Sequence, residues 1–72
     1  MKTKYQFIHF SNDGEYNGKP AWNCLNNRSK SLLGIVVWYP SWNQYIFSQS
    51  TESVVWSKGC LLDVIDFMGQ LK

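Results

Sequence analysis

The sequence predicts an α+β fold: an antiparallel meander of four to five strands with one C-terminal α-helix packed on one face. Three observations carry this. Four Trp, four Tyr and four Phe make up 17% of the chain, whereas there is a single alanine and only two glutamates, Glu15 and Glu52. Aromatic and β-branched residues suit a pleated, half-buried surface, while helix bundles draw on Ala, Leu, Glu and Lys. Apolar residues also alternate or run in short segments punctuated by Gly, Pro, Asn and Ser, and only the stretch after Ser57 spaces them at helical intervals.

The elements follow in order. Residues 4–10 (KYQFIHF) read as a first strand, with Tyr5, Phe7 and His9 on one side and Gln6, Ile8 and Phe10 on the other. Residues 11–20 hold Asp13-Gly14 and Asn17-Gly18, dipeptides that tolerate positive φ, and read as a hairpin connection or mobile loop. Residues 21–26 (AWNCLN) form a short second strand in which Trp22 and Cys24 share a face, and residues 27–30 (NRSK) the next turn. Residues 31–39 (SLLGIVVWY) are apolar on both sides, the pattern of a central strand covered twice. Leu33, Ile35, Val37 and Tyr39 fall on one side and Leu32, Val36 and Trp38 on the other, and Gly34 marks a bulge or a close backbone approach.

Pro40-Ser41 supplies a turn, since proline pre-sets φ for such a bend. Residues 42–48 (WNQYIFS) return as a fourth strand, and residues 52–56 (ESVVW) as a short fifth. Ser57 caps a helix running to about Leu71, its hydroxyl accepting an otherwise unpaired backbone N–H. Leu61, Val64/Ile65, Met68 and Leu71 give that helix an apolar stripe.

Length and charge bound the function. Seventy-two residues with a net charge of +2 predict one domain spanning 1–72, with no room for a separate cofactor-binding unit. No run approaches the ~20 apolar residues of a membrane span, so no membrane partner is expected. The N-terminus lacks the apolar h-region of a signal peptide, and the expected compartment is cytoplasmic.

The pattern Trp22-x-Cys24, an Asn-Arg-Ser turn, Leu33-Gly34-x-Val36, Trp38-Tyr39-Pro40, Trp42, Tyr45, Phe47, then Cys60-Leu61 with Asp63 and Phe67 resembles a family of small proteins scattered through bacterial and bacteriophage genomes. The resemblance covers roughly residues 22–71. It implies an origin and a fold, but no chemistry.

No enzymatic activity, cofactor or metal is expected. Two isolated cysteines and one histidine lack the paired spacing of a zinc site. Cys60 falls near the helix N-terminus, where the dipole favours an anion, and His9 is the sole imidazole that could activate a thiol. The plainer reading of Cys24 and Cys60 is a pair of buried, inert thiols. Asp63 and Asp66 lie on one helical side and read as a solvated face, and no glycine loop has phosphate-binding spacing.

What remains is rings and cations. A sheet covered by one helix leaves one face open, and exposed apolar patches mark partner sites. The expected contact residues are Trp38, Trp42, Trp22 and Tyr39, with Arg28 and Lys30 in one turn. The first reading is a module that binds a protein partner, or a second copy as a homodimer, through an aromatic sheet face; in a phage setting it acts as a host-modulating factor. The alternative is a single-stranded nucleic-acid-binding accessory protein, in which rings stack on bases beside positive charge.

Overall fold

The computed structural model describes residues 1–71. Its anchor is the Asn17-Gly18 turn, whose φ values of 55° and 82° are the left-handed pair that a two-residue hairpin needs. Around it β1 (Ile8–Tyr16) and β2 (Lys19–Asn26) pair antiparallel, followed by β3 (Leu32–Tyr39) and β4 (Gln44–Gln49), in the sheet order β1-β2-β3-β4. Among the described residues a single helix, α1 (Lys58–Met68), follows the sheet, and the α+β meander is the architecture the sequence predicts. No helix of the described residues is long and apolar enough to cross a membrane.

The two glycine-containing dipeptides of the first connection behave differently. Asn17-Gly18 turns the chain, but Asp13-Gly14 stays within β1 as a bulge, because the register changes between Asn12↔Trp22 and Glu15↔Pro20. One extra residue on β1 bends and twists the strand there. The Asn12 side chain braces the bulge, accepting from the Gly14 backbone N–H at 3.1 Å. Most of the expected loop over residues 11–20 is therefore strand.

The first strand is also displaced. Residues 4–7 do not continue β1 backwards; they double back on it. Tyr5 donates its backbone N–H to the Ile8 carbonyl at 2.9 Å, Phe10 donates to Thr3 at 2.8 Å, and Lys4 bridges His9. The expected fifth strand is irregular chain, held by Trp56, whose indole N–H donates to Gln49 Oε1 at 3.1 Å and whose ring stands edge-on to Phe47 at 5.1 Å.

Alternation along the strands sends Ile8, Phe10, Trp22, Cys24, Val36 and Phe47 toward α1. Ile8, Phe10, Cys24 and Val36 join Val64 and Phe67 as the buried centre. Phe67 lies flat on Phe10 at 3.9 Å between ring centroids and takes the edge of Trp22 at 5.2 Å. A fully buried ring of this kind contributes about 2–3 kcal/mol over an exposed one. Phe67 thereby sets which way the helix faces. Val64 is buried and Cys60, Met68 and Leu71 pack against the core, but Leu61 and Ile65, expected in the buried stripe, are 46% and 64% exposed.

Gly34 serves both purposes the sequence allowed. The register slips by one residue between Cys24↔Gly34 and Leu25↔Leu32, so Leu33 is the extra residue and packs against the core rather than beside Ile35. At Gly34 itself, a Cβ would stand 2.5 Å from Phe47 Cζ and 2.7 Å from the Ser48 carbonyl oxygen. Only glycine fits there.

Candidate functional site

Among the described residues no helix covers the sheet face opposite α1. Ala21, Asn23, Ile35, Val37, Tyr39, Ile46 and His9 alternate onto this side. A cavity of about 140 Å³ opens there, floored by Ala21, Ile35 and Val37 and rimmed by Asp13, Glu15 and Tyr16. Ala21 and Val37 are only 6% and 8% exposed although the helix lies on the other side. Among the described residues no cationic side chain lines this groove, whereas two carboxylates do.

The expected contact residues divide into three groups. Trp22 and Trp38 are not on the open face, because both alternate onto the helix side of the sheet. The Trp22 ring packs against Phe67, and its indole N–H is buried without an acceptor, which nothing in the structure explains. Trp38 stands edge-on to Tyr45 at 5.5 Å with the Lys19 ammonium 4.7 Å from its centroid. Tyr45 in turn donates to the Pro20 carbonyl at 3.0 Å, and its desolvation raises the phenol pKa. A platform of Trp38 with Trp22 or Trp42 is thus not formed on the open face, since Trp22 and Trp38 both lie on the helix side and Trp42 pairs with Tyr39 instead.

Tyr39 and Trp42 do come together. Their rings meet edge-to-face at 5.0 Å, and Trp42 is 64% exposed. Tyr39 follows Val37 on the open side, so this pair extends that face toward the β3–β4 turn. Arg28 and Lys30 lie at the opposite end of the sheet, in the β2–β3 turn, both exposed.

That turn is tied to the N-terminal segment by Asn27, a residue sequence reasoning passed over. Its backbone N–H donates to the Phe7 carbonyl at 2.9 Å, and its side-chain Nδ2 donates to the carbonyls of Tyr5 and Gln6 at 2.9 and 3.2 Å. With Nδ2 so engaged, Oδ1 faces His9 Nδ1 at 2.6 Å and accepts its proton. This fixes the His9 tautomer and leaves Nε2 unprotonated when the ring is neutral. Asn26 shapes the same turn, accepting the backbone N–H groups of Arg28 and Ser29 at 2.9 and 3.0 Å.

The thiol chemistry weighed on sequence is not assembled. Cys60 packs on the helix side of the sheet and His9 points from the other, so the sheet stands between them. The Ser57 hydroxyl accepts the Cys60 N–H at 3.1 Å, and this is the N-cap of α1. Burial pushes the Cys24 thiol up to about 12, with a smaller contribution from Cys60. Asp66 is exposed, as a solvated helix face predicts, and it also accepts the Tyr5 hydroxyl at 2.8 Å. Burial, then this bond to Asp66, raises the Tyr5 phenol pKa. Among the described residues no three His, Cys, Asp or Glu side chains stand close enough to hold a metal ion.

No family model, curated protein or solved structure matches the chain.

Proposed function

We propose that this protein is a non-catalytic interaction module whose open sheet face grips an extended segment of a partner protein bearing a lysine or arginine. The groove opposite α1 carries this reading. Its apolar floor of Ala21, Ile35 and Val37 suits an aliphatic stem, while Asp13 and Glu15 on the rim suit the cationic head that such a stem carries. Tyr16, 57% exposed beside the carboxylates, adds a ring of the amphipathic kind enriched where proteins meet. The Tyr39–Trp42 pair lengthens the same face.

An array of short extended peptides tests it, with Lys, Arg, Gln or Glu at the centre of an otherwise constant Val/Thr frame. The protein should hold the Lys and Arg peptides best, and the Asp13→Asn/Glu15→Gln variant should hold them about three- to tenfold less tightly, since exposed ion pairs contribute about 0.2–1 kcal/mol each. Indifference to the central residue would refute the reading. Sedimentation in parallel addresses self-association: a dimer that Tyr16→Ser dissolves would assign the face to a second copy instead.

A further inference from the structure

The far end of the molecule carries a second constellation, unrelated to the groove. Two shallow depressions adjoin there and share Asn27. One is lined by Phe7 and Arg28 among others, the second by Lys4, His9 and Lys30. Neither is lined by a carboxylate, and no ion pair occupies Lys4, Arg28 or Lys30 among the described residues. Phe7 is 55% exposed, the only phenylalanine so presented. Lys30 holds a φ of 64°, a left-handed conformation that side chains other than Asn and Gly adopt at a cost, and it stays there because its N–H donates to the Asn26 carbonyl at 2.9 Å. The cations are thus mounted on a braced turn rather than on a loose one.

From these observations we infer that this end binds single-stranded nucleic acid, with Phe7 stacking on a base and Lys4, Arg28 and Lys30 neutralising the adjoining phosphates. The chemistry is specific to single strands. A base can stack on a ring only when its own face is free, and in a duplex it is not. A free phosphate needs the cations but has no use for Phe7. When its ring is neutral, His9 has its proton on Nδ1 toward Asn27, and Nε2 is then an acceptor that a base N–H or a ribose 2′-hydroxyl can meet.

Fluorescence anisotropy of a labelled oligothymidine of about ten nucleotides tests the inference with the intact protein. Saturable binding is expected near 50 mM salt, and log K should fall with log salt at a slope of about −2, from three neutralised phosphates on a single strand. Phe7→Ala should weaken binding about five-fold or more with the slope unchanged. Arg28→Ala/Lys30→Ala should reduce the slope to about −0.7. Lys58→Ala removes one positive charge elsewhere and should change binding little, and thermal melts of each variant report whether it remains folded. Absence of saturable binding overturns the inference. So does equal affinity for a duplex of the same length, an unaltered affinity in folded Phe7→Ala, or a loss in Lys58→Ala as large as in the site variant. Because the groove residues take no part, failure here leaves the peptide reading standing, and the reverse.

Discussion

Gly34→Ala is the substitution whose effect the structure dictates most directly. The added methyl would lie 2.5 Å from Phe47 Cζ, 3.0 Å from Phe47 Cε1 and 2.7 Å from the Ser48 carbonyl oxygen. The ring can swing aside, but the carbonyl belongs to β4, which pairs with β3 from Gly34↔Gln49 to Tyr39↔Gln44. Relief therefore requires the two strands to part locally. Overpacking of this kind costs about 1–3 kcal/mol. The lower chain entropy of unfolded alanine offsets about 0.4–1 kcal/mol. A net loss of about 1.3 kcal/mol follows, which for a 72-residue domain lowers Tm by roughly 5–10 °C. Urea unfolding followed by tryptophan fluorescence would measure it, with an unchanged m-value showing that the folded state keeps its extent. Adding Phe47→Leu should recover only part of the loss, since the carbonyl contact survives. A Gly34→Ala protein as stable as the parent would refute the close approach of β3 and β4 at this point.

Two further outcomes are expected. Burial holds the proton on Cys24 up to about 12, against 9.0 for a free thiol, so between those values the unfolded chain releases a proton that the folded chain keeps. The associated stability is complete below pH 9 and is lost as pH rises, by about 1.4 kcal/mol per pH unit. Urea midpoints at pH 8.5 and 10.5 should converge between the parent and Cys24→Ala, and parallel curves would contradict the assignment. Asn27→Ala removes the donors to Tyr5 and Gln6 and the acceptor for His9. It should cost about 1–2 kcal/mol by the usual worth of partly exposed hydrogen bonds. Hydrogen exchange should accelerate most in the N-terminal turn, and a uniform change across the sheet would mean that Asn27 does not tie that turn down.

The architecture was readable where composition and period agreed. Asn17-Gly18, the continuous apolar run of β3 and the Ser57 cap all lie where local chemistry places them. Alternation stops predicting the sheet where one residue changes the phase. The extra residues at Asp13-Gly14 and Leu33 slip their strands by one position, which strict alternation cannot register. Aliphatic spacing treats all apolar residues alike and runs the helix stripe through Leu61 and Ile65, whereas the Phe67 ring, stacked on Phe10, outweighs them. Trp22 and Trp38 lie on the helix side, which alternation alone does not specify because the seated helix decides which sheet face is covered. The basic end was half legible. Arg28 and Lys30 were visible as a pair, but Phe7, Lys4 and His9 join them only through the hairpin register. Counting back from Asn17-Gly18 with one bulged residue places Ile8 opposite Asn26, and that count would have brought the N-terminal turn beside Asn27.

The two proposed sites are separable because of where that same hairpin puts its charges. Asp13 and Glu15 lie near its closed end, whereas Lys4, Arg28 and Lys30 surround its open end. From Ile8 to Glu15 is seven residues, about 20 Å of strand at ~3.3 Å each once the bulge is allowed for. The Debye length at physiological salt is about 8 Å. Across that distance the carboxylates neither neutralise the cations nor steer a polyanion away from them, so a net charge of +2 understates how positive the open end is to an approaching phosphate. Near 10 mM salt the Debye length reaches about 30 Å and the ends sense each other. The same polarity then favours head-to-tail, heterologous contact between copies. Weak association confined to low salt would therefore report this charge polarity rather than a dimer built on the groove.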